Sequence, residues 1–375
     1  MPSICFVEST MYSVLNPGFR RSSSGGEAVQ TTLLAREFAR QGWDVHAVCR
    51  DVGQPDGEVI DGVRVWKTFR FDAGLPGMKF LYPRLLKEWR ALGKADADIY
   101  FQSCAGHMTG IVARYVHKAG KGMIFRVAHD TDCIPGQQLI KNRRDRWLYE
   151  YGLRSADLIS VQSRYQAAEL EKNYGLSSVL VNMVVGAPAE SAAERDIDVL
   201  WVNNFRPFKR PELLIDIAKQ LPDVKFAMIG GRMRGAGELF DEVKHAAKGL
   251  PNLDFIGPVP YSDVNDYFAR AKLFLNTSDS EGFPNSFLQA WIRSVPVISF
   301  FDPDGLIESR GLGIKAASQD AFCEPIRRLL ASDETREEMG RQACKFANDN
   351  YSAEAIVGRY AAMMRDKFEL QGGHD

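Results

Sequence analysis

Short β-rich runs alternate with helix-forming stretches along almost the entire chain, in two successive cycles. The first cycle extends from SICFVE to SVLVNM, and the second from DVLWVNN to VPVISF. Between them lies VVGAPAESAAERD, a stretch of small and polar residues with one proline. Strands that alternate with helices form parallel sheets with crossover helices. The pattern predicts an α/β chain of two doubly wound, Rossmann-like domains joined by a linker.

The boundaries of the predicted domains follow from the same pattern. We expect a first domain over residues 1–183, a linker over 184–196 and a second domain over 197–350. A length of 375 residues exceeds what one core usually supports, which agrees with two domains. Residues 351–375 contain SAEAIVGRYAAMMRDKF, a stretch of helical periodicity that is charged on one side. We expect it to pack as a C-terminal helix that closes the chain.

Charge is balanced over the whole chain but not between its halves. The 47 Lys and Arg residues against 48 Asp and Glu residues give a net charge of −1, which argues against a nucleic-acid partner. Residues 1–183 hold 24 of the basic and 19 of the acidic residues, which leaves 23 and 29 for the remainder. The basic first half suits an anionic partner or an anionic membrane surface.

Several absences point to a cytoplasmic protein. No run approaches the roughly 18 uninterrupted apolar residues that a membrane-spanning helix needs. The N-terminus, MPSICFVEST, has no basic region before its short apolar run, so a cleaved secretion signal is not expected. The six cysteines are scattered, without a CxxC or a Cys/His spacing suited to zinc. We expect reduced thiols in the cytoplasm.

One basic stretch has two interpretations. In KFLYPRLLKEWRALGK, residues 79–94, Pro83 at the start of a helix would separate an apolar from a basic face. Such a helix lies on an anionic bilayer, or it is a surface helix of the first domain with a solvated basic face. A second basic cluster, KNRRDRW, occupies residues 141–147. The apolar face would hold Leu81, Leu85, Leu86 and Trp89, and the basic face Arg84, Lys87, Arg90 and Lys94.

A glycine pair precedes a predicted helix in the first half. Gly25 and Gly26 come directly before an amphipathic helix that we expect to begin near Glu27. Without Cβ atoms, the backbone amides at the helix N-terminus can approach a phosphate closely. The alternative is an ordinary helix-entry turn.

The second half contains a stronger constellation, in NTSDSEGFPNSFLQAWIRSVPVISF. We expect a turn through Gly282 and Pro284, followed by a helix that leads into the next strand. Backbone amides of residues 282–286 could receive a diphosphate there, and Glu281 could bind sugar hydroxyls. Upstream, WVNNFRPFKRPELLIDIAK places Arg206, Lys209 and Arg210 at a strand-to-helix turn, where one or two of them could neutralise a phosphate.

These motifs resemble the retaining glycosyltransferases of family four, which have the GT-B fold. The family has a Glu, seven residues and a second Glu in a motif like EGFPNxLLEA, followed by a G-x-P-V-V strand. This chain has Glu281 in EGFPNSFLQA, then SVPVIS, with Gln289 at the second position. Asn204 stands where the family has an Arg, five residues before Lys209. His129, at the end of MIFRVAH, matches the family's cleft histidine.

The resemblance implies a GT-B enzyme whose two domains face each other across a cleft. It would transfer a sugar with retention from a UDP- or GDP-sugar to a hydroxyl of a glycan or lipid-linked acceptor, without metal or organic cofactor. Its catalytic residues would be Glu281, which orients the sugar, Lys209, which stabilises the leaving diphosphate, and His129. The residues implied in donor and nucleotide binding are Gly25, Gly26, Asn204, Arg206, Pro258, Gly282, Phe283, Pro284, Asn285 and Gln289.

Two other interpretations stay open at this point. Asp130 and Asp132 form a D-x-D after a strand, as in metal-dependent GT-A transferases. Alternatively, Asn204 and Gln289 replace charged residues, so the chain could be a non-catalytic nucleotide-sugar-binding or scaffold protein. A Rossmann dehydrogenase is discounted because GGRMRGAG, residues 230–237, does not have the G-x-G-x-x-G spacing.

Overall fold

The chain forms two compact units in this computed structural model. The first consists of Met1–Val184 with Ala353–Asp375, and the second of Val185–Ser352. Of the linker expected over residues 184–196, Val184 belongs to the first unit, and the described residues 185–186 and 194–196 belong to the second. Residues 187–193 lie outside the described residues. The tail after residue 368 also lies outside them. The structure describes residues 1–16, 18–19, 25–74, 80–186, 194–233, 237–318 and 321–368.

The first unit is built on an eight-stranded sheet in the order β3-β4-β2-β1-β5-β6-β7-β8. All neighbouring strands are parallel except β3 and β4. The strands are β1 Ser3–Val7, β2 Asp44–Cys49, β3 Glu58–Ile60, β4 Val63–Lys67, β5 Ile99–Ser103, β6 Gly122–Arg126, β7 Leu158–Val161 and β8 Val179–Leu180. The helices are α1 Tyr12–Leu15, α2 Gly26–Arg40, α3 Leu86–Ala95, α4 His107–Ala119, α5 Arg143–Ser155, α6 Arg164–Tyr174 and, at the C-terminus, α14 Ala353–Phe368.

The second unit has a six-stranded, wholly parallel sheet in the order β11-β10-β9-β12-β13-β14. Its strands are β9 Ile197–Val202, β10 Phe226–Ile229, β11 Leu253–Gly257, β12 Ala271–Asn276, β13 Val297–Ser299 and β14 Gly313–Lys315. Its helices are α7 Pro211–Gln220, α8 Gly237–Ala247, α9 Tyr261–Arg270, α10 Asn285–Trp291, α11 Leu306–Arg310, α12 Cys323–Ala331 and α13 Asp333–Tyr351. The two predicted Rossmann-like sheets are thus confirmed.

Two strands were not predicted, and one of them breaks the expected parallel pattern. β3 pairs antiparallel with β4 across a two-residue turn at Asp61 and Gly62, whose φ angles are 50° and 79°. Positive φ at both central residues is the turn geometry that matches the twist of a hairpin, and Asp-Gly favours it. β3 has three residues and β14 also has three, and unlike the equally short β13 neither lies in a continuous apolar run of the sequence.

The basic stretch predicted as a helix from Pro83 behaves differently. The regular helix α3 begins at Leu86. Its fully buried residues are Glu88, Ala91, Leu92 and Ala95, and of the predicted apolar set Leu85 and Trp89 pack partly against the core. Leu86 is 49% exposed. Lys79 and the side chain of Leu81 lie outside the described residues. Over the described ranges, no helix combines the length and the apolarity needed to cross a bilayer.

The predicted C-terminal helix is confirmed and packs in the core of the first unit. Ile356, Val357 and Met364 of α14 are buried there. The ring of Tyr360 lies 5.5 Å from that of Phe101, in an edge-on contact. The Tyr360 hydroxyl also forms a 3.0 Å hydrogen bond with Ser160 Oγ. The first sheet is therefore covered by residues more than 170 positions downstream of its last strand.

Helices α4 and α5 approach each other through two facing glycines. A Cβ atom at Gly110 would collide with the Leu148 carbonyl, and one at Gly152 would collide with the Thr109 carbonyl. Both clashes are with backbone, which cannot move aside as a flexible side chain can. The close packing of this helix pair therefore depends on glycine at both positions.

We predict that Gly152→Ala lowers the free energy of unfolding of the first unit by about 1–3 kcal/mol, because the added methyl group overpacks the contact. Gly358→Ala in α14 is the matched control, since a Cβ there meets nothing within 4 Å. It should be neutral or raise stability by about 0.5–1 kcal/mol. Urea denaturation of both variants measures the difference. Equal stabilities of the two variants would contradict the glycine contact.

Candidate active site

Polar residues follow the central strands of the second sheet. Asn203 comes after β9, and Thr277 and Ser278 come after its parallel neighbour β12. The chain leaves these two strands in opposite directions, so the gap between their carboxyl ends is the switch point where open α/β sheets bind ligands. Gly230, after β10, allows the loop after β9 to pass, because a Cβ there would collide with the Asn203 carbonyl.

Thr277 fastens the turn that contains Lys209 to the end of β12. The Trp201 indole Nε1 donates to Thr277 Oγ1 at 2.9 Å, and Thr277 Oγ1 donates to the Lys209 carbonyl at 2.7 Å. The Asp279 amide donates to the Phe208 carbonyl at 2.9 Å. Trp201 and Thr277 are fully buried. The turn therefore has little freedom to move away from the segment that leads to Glu281.

Lys209 and Glu281 form an ion pair between Nζ and Oε1. Their side chains are 14% and 8% exposed. Removing one partner of such a pair leaves an uncompensated charge in a poorly solvated place, at a cost of about 3–5 kcal/mol. Two predicted catalytic residues are thus brought into direct contact.

The two other cations of this turn have different surroundings. Arg210 binds Glu212 at 2.6 Å and Asp279 at 3.1 Å, which identifies it as a structural residue. Arg206 lies with its guanidinium carbon 5.8 Å from the centroid of the Phe208 ring. Of the three cations, Lys209 is the one paired with Glu281.

In the described part of the second unit, five buried polar atoms have no hydrogen-bond partner, and their residues lie at or shortly after the carboxyl ends of its strands. Polar groups that are withdrawn from water are normally paired, so each unpaired one needs an explanation. An edge that carries several of them is suited to a polar ligand that supplies the missing partners. Within the described ranges they are Asn203 Nδ2, Asn276 Nδ2, Ser278 Oγ, Asn285 Oδ1 and Ser299 Oγ. Sequence analysis missed Asn203, Asn276, Ser278 and Ser299.

The predicted turn after Glu281 is present, and α10 begins at Asn285, after Gly282 and Pro284. The Phe283 ring is 6% exposed and packs 5.3 Å from the ring of Tyr351. Any ligand contact at Phe283 would therefore come from its backbone. α10 has only seven residues, so its dipole is small and does not by itself indicate an anion-binding site.

The other residues of the second unit that are predicted to bind the donor are half-buried or exposed. Gln289 Nε2 lies 3.4 Å from Asn265 Oδ1 of the neighbouring helix α9, a long contact that orients the amide. Pro258 is exposed directly after β11, and Pro260 precedes α9. Asn204 is half-buried after β9.

In the first unit, the glycine pair stands at the N-terminus of α2. Gly25 is the N-cap, and the helix begins at Gly26, one residue before the predicted start. Glu27 in the first turn forms an ion pair with Arg126 at the end of β6. The Arg126 side chain is 1% exposed. This contact ties the helix entrance to the strand that leads to His129.

His129 is held in one orientation by its own turn. Its Nδ1 accepts hydrogen bonds from the Thr131 amide at 3.2 Å and from Thr131 Oγ1 at 2.9 Å. An accepting Nδ1 places the proton of the neutral ring on Nε2. The backbone amide of His129 donates to Asp132 Oδ2 at 3.0 Å. The imidazole is therefore oriented by the amide and the hydroxyl of Thr131, and the His129 backbone is held by Asp132.

The D-x-D carboxylates serve local structure. Asp130 Oδ1 accepts from Gln166 Nε2 at 2.9 Å, and Asp132, 4% exposed, caps the turn after His129. Burial raises the pKa of Asp132 to about 7. In the residues that the structure covers, no three His, Cys, Asp or Glu side chains are grouped as metal ligands.

Two family models match the chain, one for each half. Residues 24–184 match the model described as "Glycosyltransferase Family 4". Residues 187–346 match the model described as "Glycosyl transferases group 1".

Curated relatives of the chain are transferases by name. The O-antigen biosynthesis glycosyltransferase WbnH of Escherichia coli is 25% identical over 290 residues, which cover 74% of this chain and 82% of that protein. The D-inositol 3-phosphate glycosyltransferase of Corynebacterium glutamicum is 27% identical and covers 92% of both chains. Both comparisons favour a transferase over the non-catalytic alternative.

Solved structures match nearly the full length. Sucrose-phosphate synthase from Thermosynechococcus elongatus has a TM-score of 0.78 at 18% identity, over 98% of this chain and 100% of that one. HepE from Anabaena, solved in complex with UDP-glucose, has a TM-score of 0.74 at 14% identity with the same coverage. The fold is that of these two-sheet proteins, so the GT-A alternative is wrong.

We predict that Thr277→Val lowers the free energy of unfolding of the second unit by about 1–3 kcal/mol. The substitution leaves the buried Trp201 indole and the Lys209 carbonyl without their partner. Thr32→Val is the control, because the buried Thr32 hydroxyl donates only within its helix, to the Ala28 carbonyl. Urea denaturation monitored by tryptophan fluorescence measures both, fitted with two transitions if the units unfold separately. If Thr277→Val lowered the free energy of unfolding no more than the control does, the role of Thr277 in fastening the Lys209 turn would be contradicted.

A pH dependence follows from the raised pKa of Asp132. Its folded-state pKa of about 7 lies above the ordinary value near 4, so its stabilising contribution is complete below pH 4 and is lost as the pH rises through 7. Asp132→Asn keeps an acceptor for the His129 amide but does not titrate. The variant's stability relative to the natural protein should rise by about 2 kcal/mol between pH 5 and pH 8. If the free energies of unfolding of the variant and of the natural protein changed equally with pH, the raised pKa of Asp132 would be refuted.

Proposed function

We propose, from the premise that the chain is a glycosyltransferase of the GT-B fold, that it transfers a hexosyl group from a UDP- or GDP-sugar to an acceptor hydroxyl. One observation carries this proposal. The Lys209–Glu281 pair is buried at the switch point of the second sheet, beside polar atoms that lack partners. That arrangement suits a ligand that has a negative charge next to many hydroxyl groups, which describes a nucleoside diphosphate sugar.

Lys209 would stabilise the leaving group. As the bond between the anomeric carbon and the diphosphate oxygen breaks, negative charge develops on the diphosphate. A fixed cation in a poorly solvated site stabilises that charge more in the transition state than in the ground state. Arg206 is the second cation of the same turn and would face the outer phosphate oxygens. Neither role requires a metal ion or an organic cofactor.

Glu281 would have two roles. Before the donor binds, its carboxylate compensates the charge of Lys209. With the donor bound, the carboxylate would accept hydrogen bonds from sugar hydroxyls while the Lys209 ammonium turns toward the phosphates. The unpartnered groups of Asn203, Asn276 and Ser278 would complete the sugar and phosphate contacts.

The nucleotide would occupy the outer part of the same edge. Gln289 would bind the ribose through its amide, in place of the carboxylate of family four. Asn204 and the backbone of Pro258, Gly282 and Phe283 would bind the base and the diphosphate, together with Pro284 and Asn285. HepE, solved with UDP-glucose, supports a uridine diphosphate donor.

The first unit would bind the acceptor. The glycine pair Gly25 and Gly26 and the oriented His129 stand at the carboxyl edge of its sheet. The resemblance to family four supports transfer with retention of anomeric configuration, and WbnH supports a glycan or lipid-linked acceptor in polysaccharide biosynthesis. We place the reaction in the cytoplasm, at the inner face of the membrane.

Neutralising the ion pair tests the mechanism. We predict that Lys209→Gln/Glu281→Gln lowers kcat for transfer by at least about 100-fold, because the fixed charges are lost. The double substitution avoids leaving either charge unpaired, so the variant should remain folded. Transfer is measured with UDP- and GDP-sugars, with and without EDTA, and EDTA should have no effect.

The matched control is Lys219→Gln, which removes a lysine from the exposed Lys219–Asp216 pair of the same unit. Its kcat should equal that of the natural protein. A folded double variant with undiminished transfer would refute the roles of Lys209 and Glu281. A thermal-shift series with UDP and GDP identifies the base, because the nucleotide that binds the folded protein raises its Tm.

A further inference from the structure

The guanidinium groups of two arginines in the first unit each pack over a phenylalanine ring, and the two phenylalanines are two positions apart in the chain. Arg50 directly follows β2, and its guanidinium carbon lies 5.4 Å from the centroid of the Phe71 ring. The guanidinium carbon of Arg84, before α3, lies 5.3 Å from the Phe69 ring. The Asp51 amide donates to the Phe69 carbonyl at 3.2 Å, so the segment after β2 lies against the segment with the two rings. Both guanidinium groups are thus gathered at the carboxyl edge of the sheet.

Neither guanidinium group has a polar partner among the described residues. The Nε atom of each is buried and makes no hydrogen bond. A guanidinium group offers five N–H donors in a planar fork, and arginines withdrawn from water normally use several of them. The two side chains are therefore held in place by ring contacts, with their donors unused.

The carboxylates of Glu8 and Glu88 are the nearby opposite charges, and both act to raise the pKa of Arg50. Glu8 Oε1 accepts from the Thr10 amide at 2.9 Å and from Thr10 Oγ1 at 2.8 Å. Burial raises the pKa of Glu8, which weakens it as a counter-ion. Glu88 Oε1 lies 3.6 Å from His107 Nε2. Neither acid forms an ion pair with Arg50 or Arg84 in the part of the chain that the structure describes.

The two half-buried guanidinium groups repel each other. Burial and, after it, the charge of Arg84 lower the pKa of Arg50, and Glu8 and Glu88 only partly oppose that effect. A bound anion would relieve the repulsion and use the free donors of both forks. Phosphate matches the fork geometry, and its charge of about −2 balances two guanidinium groups.

We propose that Arg50 and Arg84 together bind a phosphate or diphosphate group of the acceptor. That this group belongs to the acceptor rests on the proposed function, whereas the binding of phosphate by the two arginines does not. The Phe71 ring that contacts Arg50 is 55% exposed, and Tyr82, two positions before Arg84, is 63% exposed. They provide an aromatic surface for the sugar or the chain to which the phosphate is attached.

The group could belong to a soluble sugar phosphate or to a lipid-linked phosphate, and two arms of one experiment distinguish them. In the first arm, phenyl phosphate is titrated calorimetrically into protein saturated with UDP, or with GDP if UDP does not bind, so that the nucleotide site is filled. In the second, the protein is floated with phosphatidylcholine vesicles that contain or lack phosphatidic acid. Arg50→Gln/Arg84→Gln should weaken binding at least about tenfold in the arm that responds.

The matched control is Arg64→Gln/Arg70→Gln, which removes two exposed arginines of the same unit, one in β4 and one shortly after it. It should bind as the natural protein does. Arg84→Lys keeps the positive charge but loses the planar set of guanidinium donors. It should therefore weaken binding severalfold although the net charge of the protein is unchanged. Nucleotide binding is also measured for each variant. Unchanged nucleotide binding shows that the variant is folded and that its second unit is intact, independently of the arginine site.

Binding that Arg50→Gln/Arg84→Gln abolishes and the control retains supports the site, and the responding arm identifies the source of the phosphate. Equal losses in the two double variants would reduce the effect to overall charge and overturn the proposal. An absence of binding to phenyl phosphate and to phosphatidic acid vesicles alike would also overturn it. If the natural protein transfers no sugar from UDP- or GDP-sugars while its phosphate binding persists, the proposed function fails and this site does not.

Discussion

Parallel strand pairing is the constraint on which both candidate sites depend. In a parallel sheet every strand ends at the same edge, so residues that directly follow different strands meet there although they are far apart in the chain. The second unit uses this to bring the loop after β9 to the loop after β12, where Thr277 bonds to the Lys209 carbonyl. The first unit gathers Arg50 and His129 along the corresponding edge of its own sheet.

Electrostatics then decides what these edges can bind. A buried ion pair such as Lys209–Glu281 adds little net stability, because desolvation offsets most of the attraction. Its retention at a switch point is better explained by a ligand that exchanges with one of its partners. In the first unit, Arg126 forms an ion pair with Glu27, whereas Arg50 and Arg84 pack against aromatic rings and form no ion pair among the described residues. The difference separates a structural arginine from a pair suited to an external anion.

Sequence periodicity predicted most of the fold. Twelve runs identified as strands correspond to strands of the structure, because buried parallel strands are continuous apolar runs of recognisable composition. The strands β3 and β14 lack the continuous apolar run that identified the equally short β13. In the region around Pro83, Leu85 and Trp89 of the predicted apolar face pack partly against the core, whereas Leu86 is exposed. Asn203, Asn276 and Ser299 were detectable in principle as polar residues after apolar strands.

The sequence by itself determined the two cycles of strands and helices, the glycine pair before α2, and the motif around Glu281, since each is a pattern of neighbouring residues. Only the tertiary structure decided that Lys209 meets Glu281 across 72 positions, that Arg210 is occupied by Glu212 and Asp279, and that Arg50 and Arg84 each pack against an aromatic ring. These outcomes depend on strand order, on side-chain direction and on which donors the packed core leaves unpaired. Local periodicity contains none of that information, because it is set by contacts between residues distant in the chain.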